Sequence, residues 1–203
     1  MHIPEGDTHQ LDILSFESAC KKSISSKYDR RQWLYVPDFY TEYRYVLGTR
    51  GERPVICAGI NPSTAEPDNL DPTLKSVSRI AAGNGFDSWM MFNVYAQRAT
   101  RPGDMDVIRN ELLHAENMKA FCALLEIASG CGKAPVIWAA WGAIIEKRTW
   151  LKDCVRDMAE LAKPFHAEWV CAGSCSKNGH PHHPLYLKKD ERFYLFDLEG
   201  YLA

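Results

Sequence analysis

The sequence predicts an α/β domain in which a parallel β-sheet is covered by helices on both faces. Four apolar runs, at residues 55–60, 88–96, 133–142 and 165–173, have the length and continuity of strands that are buried on both sides. Segments of helical periodicity separate these runs, and such strand–helix alternation is typical of a parallel sheet. The chain has 203 residues, with no internal repeat and no Gly/Ser-rich linker, which predicts a single domain.

The start of the chain is its least regular part. We expect residues 1–27 to be an N-terminal extension, disordered in part or folded as a short helix, and residues 28–203 to form the α/β domain. Residues 31–60 are rich in aromatic and β-branched side chains, and "TRGER" separates two apolar runs within them. This pattern predicts a strand or hairpin that leads into the first core strand at residues 55–60.

A helix is expected directly after the first core strand and its polar loop. Asp71 can cap this helix, Pro72 is favoured at the first helical position, and Gly83 can end it. The second strand, residues 88–96, is followed by the polar stretch "QRATRPGDMD" and by a long helix over residues 107–128.

The second half of the chain repeats the alternation. The third strand, residues 133–142, is followed by an amphipathic helix over residues 143–162 and by the fourth strand, residues 165–173. The tail then contains "CSKNGHPHHPLYL" and a final short strand or turn, "RFYLFDLEGYL".

Composition and charge exclude several classes of protein. The net charge of -2 argues against binding of nucleic acid mainly through bulk electrostatics, although it leaves room for a locally basic groove. No apolar run approaches the roughly 18–20 residues needed to span a bilayer, so we expect no membrane partner. The first residues lack the features of a secretory signal, and the seven scattered cysteines are typical of reduced thiols, which predicts a cytoplasmic protein.

Polar residues follow all four core strands at the point where each strand ends. Asn61-Pro62-Ser63-Thr64 follows the first strand, and Asn93 lies within the second strand, which ends in Gln97–Thr100 with Arg98. Trp141-Gly142 ends the third strand, and residues 174–184 follow the fourth. Because the carboxyl ends of parallel strands share one edge of a sheet, we expect these segments to form one ligand site. Asn61, His180 and His183 each precede a proline, which restricts their conformations.

Each of these residues also has a structural explanation that the sequence leaves open. Asn61 can form a turn with side-chain-to-backbone bonds, and the Asn93 amide can bond to backbone alone. Arg98 can be a solvated charge as readily as an anion or phosphate contact, and Asp71 is favoured as a helix cap over a catalytic acid. No P-loop and no dinucleotide-binding glycine motif follows a strand.

The histidine-rich loop "GHPHHPLY" has three interpretations. It can be a surface loop with incidental histidines, or it can supply a catalytic or ligand-contacting His183. In the third interpretation the loop binds a metal, although the spacing of the candidate ligands matches no established zinc pattern. These candidate ligands are Cys171, Cys175, His180, His182 and His183.

Several blocks of the sequence resemble known families. The stretches "GINPSTAEPDNLDPT", "FNVYAQRAT", "VIWAAWG" and "GHPHHPLY", between Arg44 and Leu187, closely resemble an uncharacterised domain-of-unknown-function family. More distantly, four blocks are similar in order to the uracil-DNA glycosylase superfamily: Gly59-Ile60-Asn61-Pro62, Phe92-Asn93-Val94 with Arg98 and Pro102, Ala140-Trp141-Gly142, and His183-Pro184-Leu185. This resemblance implies a three-layer α/β/α sandwich with a central four-stranded parallel sheet.

The same resemblance implies roles for individual residues. Asn61 would position or polarise a water, Asn93 would read the edge of a base, and His183 would stabilise the charge on the departing base. Tyr95, Trp141 or Tyr186 would supply a ring that stacks on the base. The sequence also departs from those enzymes: Ser63 replaces a usual glycine, and the final loop lacks a serine that helps them grip DNA. A nucleotide, nucleoside, modified base or single strand is therefore a better expectation than scanned duplex DNA.

These arguments give one candidate site and three functional hypotheses. The expected catalytic residues are Asn61 and His183, with no cofactor. The expected ligand contacts are Gly59, Ile60, Pro62, Ser63, Thr64, Asp71, Thr73, Asn93, Tyr95, Arg98, Trp141, Gly142, His180, Pro184 and Tyr186. The preferred hypothesis is cleavage of an N-glycosidic bond in a small nucleobase compound or single-stranded nucleic acid. The alternatives are a non-catalytic nucleotide-binding or sensing module, and a metal-dependent hydrolase that uses the Cys/His loop.

Overall fold

Seven strands form one mixed β-sheet in the computed structural model, which describes residues 7–8, 11–22, 27–130 and 132–203. In chain order they are β1 (Trp33–Val36), β2 (Val46–Thr49), β3 (Pro54–Gly59), β4 (Ser88–Asn93), β5 (Val136–Ala139), β6 (Glu168–Ala172) and β7 (Phe193–Leu195). Their order across the sheet is β1-β2-β4-β3-β5-β6-β7. The predicted α/β class is confirmed.

The four core strands expected from the sequence are parallel neighbours in the middle of the sheet. Gly59 of β3 lies opposite Asn93 of β4, and Ala139 of β5 lies opposite Ala58 of β3 and Cys171 of β6. The predicted four-stranded sheet is nevertheless too small. The antiparallel hairpin β1–β2 extends it beside β4, and antiparallel β7 extends it beside β6.

The connection "TRGER" does not close a hairpin between β2 and β3. Strand β2 pairs antiparallel with β1, where Val46 lies opposite Val36, and with β4, where Leu47 lies opposite Met91. Both edges of β3 are already occupied by β4 and β5, so the chain has to pass β4 before it enters the centre of the sheet. The expected strand or hairpin before the first core strand is present as the antiparallel pair β1–β2, and residues 50–53 join it to β3.

Five α-helices are present in the described residues: α1 (Phe16–Lys21), α2 (Pro72–Gly83), α3 (Glu111–Ser129), α4 (Leu151–Ala162) and α5 (Leu198–Leu202). Helix α2 begins and ends as predicted, and Asp71 Oδ1 accepts the Leu74 N–H at 2.8 Å. Helix α3 begins later than expected because the Asn110 side chain caps it by accepting the Leu113 N–H at 3.1 Å.

Helix α4 is also shorter than the sequence indicated. A 3₁₀ helix at Gly142–Lys147 precedes it, and Arg148 is extended, which prevents one continuous helix over residues 143–162. The Arg148 guanidinium is held by the carbonyl oxygens of Asp106, Met105 and Gly103 at 2.7–3.0 Å, so the break is fixed by tertiary contacts.

Helices pack on both faces of the sheet, as the alternation of its side chains requires. Ile56, Phe92 and Ile137 point to the face that also buries α3 and α4. Val55 and Trp89 point to the opposite face and pack with α2. No helix in the described part of the chain is long and apolar enough to cross a bilayer.

The N-terminal segment packs against the domain through partly buried hydrogen bonds. Leu14 donates its N–H to the Tyr43 hydroxyl at 2.8 Å and accepts from the Tyr45 hydroxyl at 2.7 Å. The Phe16 N–H donates to Glu116 Oε2 at 2.7 Å. Of the expected extension, residues 1–6, 9–10 and 23–26 lie outside the described residues.

Candidate functional site

The carboxyl ends of the central strands meet at a topological switch point. The chain leaves β3 towards α2 on one face of the sheet, and it leaves β5 towards α4 on the other face. Since β3 and β5 are neighbours, the two connections diverge and a crevice opens between them. Ligands of open α/β sheets bind in such crevices.

A cavity of about 340 Å³ lies at this edge of the sheet. The lining residues expected from the sequence are Ile60, Asn61, Ser63, Asp71, Thr73, Asn93, His183 and Tyr186. The other lining residues were not among the expected ligand contacts, although Ala99, Thr100 and Leu185 lie in segments that the sequence analysis placed at the site. They are Arg44, Pro72, Leu74, Met91, Ala99, Thr100, Ile144 and Leu185. The fold therefore brings Asn61, Asn93 and His183 into one cavity.

A larger cavity of about 680 Å³ lies at the opposite edge, near Arg53, Phe86 and Pro135. None of the described buried polar atoms without a hydrogen-bond partner belongs to its lining residues. The smaller cavity is lined by two residues that have such atoms, Arg44 and Asn93. Because buried polar groups are normally satisfied, the smaller cavity is the better candidate for ligand recognition.

Asn93, at the end of β4, is the most unusual of these residues. It is 1% exposed, and neither Nδ2 nor Oδ1 has a hydrogen-bond partner among the described residues. Its backbone is held in place, because Asn117 Nδ2 of α3 donates to the Asn93 carbonyl at 2.9 Å. A Cβ added at Gly59 would lie 3.1 Å from Asn93 Oδ1, so the glycine leaves room for the amide. The side chain can thus offer one donor side and one acceptor side to a ligand.

Asn61 uses the donor side of its amide within its own loop. Nδ2 donates to the carbonyl oxygens of Ala99 at 2.7 Å and of Pro62 at 3.1 Å, so the turn with side-chain-to-backbone bonds is present. Both amide hydrogens therefore have acceptors, and Oδ1 is the atom that is left to accept a hydrogen bond from a ligand or water.

His183 precedes the 3₁₀ turn Pro184–Tyr186 and is partly buried. Burial lowers its pKa below the usual range, and the nearby Asp71 carboxylate opposes this shift only in part. Its Nδ1 accepts the Leu185 N–H in a long hydrogen bond of 3.4 Å. A neutral imidazole that accepts at Nδ1 carries its proton on Nε2, so we assign His183 as a hydrogen-bond donor at neutral pH.

Asp71 has the structural role that the sequence favoured, and it also lines the cavity. Its Oδ1 caps α2 through the Leu74 N–H. Its charge acts on the other ionisable groups of the site, because it opposes the lowering of the pKa of both Arg44 and His183 by burial. Thr73 follows in the first turn of the same helix, which places the helix N-terminus at the cavity.

Of the three aromatic residues expected to stack on a base, Tyr186 lines the cavity. It is 78% exposed, and its ring centroid lies 6.0 Å from that of His183. Leu185 beside it is also exposed. These two side chains therefore lie where a ligand would enter.

Tyr95 and Arg98 do not line the cavity, because each is fully buried and has other partners. The Tyr95 hydroxyl donates to Asp106, and its ring packs on Trp150 with centroids 4.7 Å apart. The Arg98 guanidinium contacts the Ser63 carbonyl and donates to the Tyr35 hydroxyl at 2.9 Å. Tyr95 and Arg98, which were expected to stack on and to contact the ligand, thus make structural contacts outside the cavity, and Arg98 holds the Ser63 loop through its carbonyl oxygen.

Trp141 and His180 are likewise buried outside the cavity. Trp141 Nε1 donates to the Tyr201 hydroxyl at 3.2 Å, and His180 Nδ1 lies 2.9 Å from the same oxygen. His180 Nε2 lies 3.2 Å from Glu146 Oε1, without hydrogen-bond geometry. These contacts join the 3₁₀ helix at Gly142–Lys147 to the loop that carries His183, so both residues help to position that loop from outside the cavity.

The remaining predicted contacts lie beside the cavity. Gly59, Pro62, Thr64, Gly142 and Pro184 are not among the residues that line it. Gly142 has a φ of +62°, and a Cβ there would lie 3.5 Å from the His183 Cβ, so it packs directly behind the histidine. Pro62 O accepts the Ala99 N–H at 3.0 Å, which joins the first two loops.

The Cys/His loop does not form a metal site in the described part of the chain. No group of three or more His, Cys, Asp or Glu residues is arranged there to hold a metal ion. Cys171 and Cys175 approach each other, with sulfur atoms 3.9 Å apart, but His180 is engaged with Tyr201 and His183 lines the cavity. The side-chain placement gives no support to the metal-dependent hydrolase.

Arg44 is the most important lining residue that sequence reasoning missed. It precedes β2 and is 2% exposed, in a segment that the sequence marks only as aromatic-rich. Asn117 was missed as well, although a polar residue within the long helix is a signal that could have found it. Met91 could have been found from strand alternation, since it lies two residues before Asn93 on the same face.

Comparison with known proteins identifies a family and nothing beyond it. The model of a family described as "Protein of unknown function (DUF1643)" matches residues 44–185. The match includes every residue that lines the cavity except Tyr186. No curated protein and no solved structure matches the chain.

Proposed function

The chain belongs to the family described as protein of unknown function (DUF1643), and we propose that it binds a nucleobase in the 340 Å³ cavity and hydrolyses the N-glycosidic bond to its sugar. The expected ligand is a small nucleobase compound or a single-stranded nucleic acid. The resemblance of four sequence blocks to uracil-DNA glycosylases, which the fold gathers at one edge of the sheet, supports a relationship to that superfamily.

One observation carries the proposal, namely the unsatisfied amide of Asn93. A buried amide with both a free donor and a free acceptor matches the paired donor and acceptor groups on the edge of a base. Leaving either group unpaired costs about 1–3 kcal/mol, which a hydrogen-bonded ligand would offset. Pockets that accept an extruded base read its edge in this way.

The other lining residues have suitable chemistry for the reaction. As the bond from the sugar C1′ to the base nitrogen breaks, its electron pair moves onto the base, and the His183 Nε2–H stabilises the resulting charge. A water held by Asn61 Oδ1 adds to C1′. The proton that this water loses goes to Asp71, the sole carboxylate among the described residues that line the cavity.

The experiment is a search for released base. Wild-type protein is incubated with nucleosides, nucleotides and single-stranded oligonucleotides that contain each base, and free base is separated by chromatography. Asn61→Ala and His183→Ala should lower the rate by about 100-fold or more. Asn61→Ala also loses the bonds to Ala99 and Pro62 and should be destabilised by about 1 kcal/mol, so both variants are first shown to be folded at the assay temperature. His182→Ala, in the same loop but outside the cavity, is the matched control and should retain activity. If neither variant changes a release activity seen for the wild type, the assigned roles are wrong.

A second candidate function is supported by the bonding of Asp71. Its carboxylate already accepts the Leu74 N–H as a helix cap, which weakens it as a base. In that case the same cavity would hold or sense a nucleotide without chemistry. A ligand that raises the melting temperature and is recovered intact after long incubation would favour this function over hydrolysis.

A further inference from the structure

Arg44 places a buried positive charge in the cavity with few partners. Its backbone N–H donates to the Ala96 carbonyl at 2.9 Å, which fixes the residue before β2 begins. Its side chain is buried, and Nη1 donates to the Ala65 carbonyl at 3.0 Å. Nε is buried and has no hydrogen-bond partner among the described residues. Most of the five N–H donors of this guanidinium are thus free for a ligand.

The charge of Arg44 is only weakly compensated. Burial lowers its pKa to about 9, and repulsion from Arg98 adds to the shift, while Tyr35 and Asp71 oppose it. The guanidinium is therefore still protonated at neutral pH. No described carboxylate forms an ion pair with it, whereas buried charges in proteins are normally paired.

The neighbouring Arg98 differs from Arg44 in its contacts, although its Nε is likewise buried without a hydrogen-bond partner among the described residues. Arg98 is also fully buried, but its guanidinium contacts a carbonyl, donates to the Tyr35 hydroxyl and lies 4.7 Å from the centre of the Tyr40 ring. It does not line the cavity, and Arg44 does. Arg98 therefore adds positive potential from outside the cavity, while Arg44 lines the space where a ligand would lie.

The first turn of α2 adds to the same potential. This helix has 12 residues, and both Pro72 and Thr73 at its N-terminus line the cavity. Helix N-termini carry a partial positive charge and bind phosphate groups. Asp71 acts against an anion here, but it is committed to capping the helix through Leu74.

We propose that Arg44 and the first turn of α2 form a phosphate subsite, so that the ligand read by Asn93 is a nucleotide and not a free base or nucleoside. This inference rests on the proposed function, because it takes from it that Asn93 binds the base of the ligand. The phosphate can belong to a mononucleotide or to a single-stranded oligonucleotide, since both present the same anionic group to Arg44.

The test compares matched ligands that differ only in the phosphate. Isothermal titration calorimetry measures binding of each base, its nucleoside and its nucleoside 5′-monophosphate to wild-type protein, Arg44→Gln and Lys75→Gln. Lys75→Gln is the control because it removes an exposed positive charge from the same end of α2 without touching the cavity. We expect the monophosphate to bind wild type and Lys75→Gln about 10- to 100-fold more tightly than the nucleoside, and Arg44→Gln to lose this difference.

Three further measurements test the phosphate subsite independently of the Arg44→Gln variant. Inorganic phosphate alone should raise the melting temperature of the wild type and should compete with the monophosphate but not with the nucleoside. If Arg44→Gln fails to fold, Arg44→Lys keeps the charge and should retain part of the preference, while the competition result in the wild type still decides. A 5′-phosphorylated mononucleotide and a short single strand compared side by side identify the source of the phosphate.

The outcomes separate this inference from the proposed function. Equal binding of nucleoside and monophosphate to the wild type, or a preference that survives in Arg44→Gln, overturns the phosphate subsite even if base is released. Phosphate-dependent binding without any release of base supports the subsite and refutes hydrolysis. Stabilisation of wild type but not Arg44→Gln by inorganic phosphate supports the subsite even if no base is recognised.

Discussion

Replacing Asn93 by leucine should raise stability and abolish ligand binding. The amide is 1% exposed, and both of its polar groups are without partners among the described residues. An apolar side chain of similar size removes this unsatisfied polarity and adds apolar contact with the lining residues Leu74 and Met91. The same change removes the groups that the proposed function assigns to reading a base.

The magnitude follows from the two unpaired groups. Each buried donor or acceptor left unsatisfied costs about 1–3 kcal/mol. Water in the cavity can satisfy one side of the amide, so we count one group and expect Asn93→Leu to raise the free energy of unfolding by about 1–3 kcal/mol. For a chain of this length, each kcal/mol corresponds to a rise in melting temperature of about 2–4 °C.

The matched control is Asn117→Leu, which changes the same side chain at another buried position. Asn117 Nδ2 donates to the carbonyl oxygens of Asn93 at 2.9 Å and Val94 at 3.4 Å, whereas its Oδ1 has no partner among the described residues. Loss of the two bonds outweighs removal of the one unpaired oxygen, so this variant should be destabilised by about 1 kcal/mol. Denaturant unfolding of both variants and the wild type measures the difference. If Asn93→Leu is destabilised as much as Asn117→Leu, the Asn93 amide has protein partners and the reasoning is refuted.

Three further predictions concern His183, Asp71 and Gly142 at or beside the cavity, together with His114 and Gly83, which lie away from it. Burial lowers the pKa of His183 and His114 from their ordinary value of 6.5, so the unfolded state binds more protons near that pH. The free energy of unfolding should therefore fall as the pH drops below 6.5. His183→Gln and His114→Gln should each reduce this fall, as measured by denaturant unfolding at a series of pH values. Asp71→Asn should keep stability within about 0.5 kcal/mol, since Asn also caps helices, but should slow base release about 100-fold or more; an unchanged rate would leave Asp71 as a cap alone. Gly142→Ala should lose about 1–2 kcal/mol because its φ is +62°, whereas Gly83→Ala, in a helix with open space around the added Cβ, should be neutral or stabilising in the same assay.

Local signals in the sequence were sufficient for the central elements. The cap and first turn of α2 depend on Asp71, Pro72 and Leu74, which are adjacent in the chain, and the structure has them as predicted. The four apolar runs became the parallel strands because their length and continuity already reflect burial on both faces. The rule for parallel sheets then placed Asn61, Asn93 and His183 at one edge, and they line one cavity.

The side chains beyond the strand ends could not be assigned in the same way. A strand over residues 88–96 would put Asn93 and Tyr95 on the same face, since side chains alternate. Strand β4 instead ends at Asn93, and Tyr95 turns to the opposite face, where it meets Asp106 and Trp150. Placing the end of this strand three residues too late was thus enough to make Tyr95, a core residue, look like a ligand contact.

Arg44 shows what only the fold can supply. It reaches the cavity because β2 pairs with β4, a contact between segments that are distant in the chain, and its lack of partners is visible only when its neighbours are known. Together with Asn93 it leaves a cation and an amide uncompensated in one cavity. Since a ligand that pairs with both groups relieves both costs, it should stabilise the folded protein strongly, by an amount that grows with its concentration relative to Kd. Screening compounds by the rise in melting temperature is therefore a sensitive way to find this ligand. A compound that carries both a base edge and a phosphate should raise the melting temperature more than either part alone.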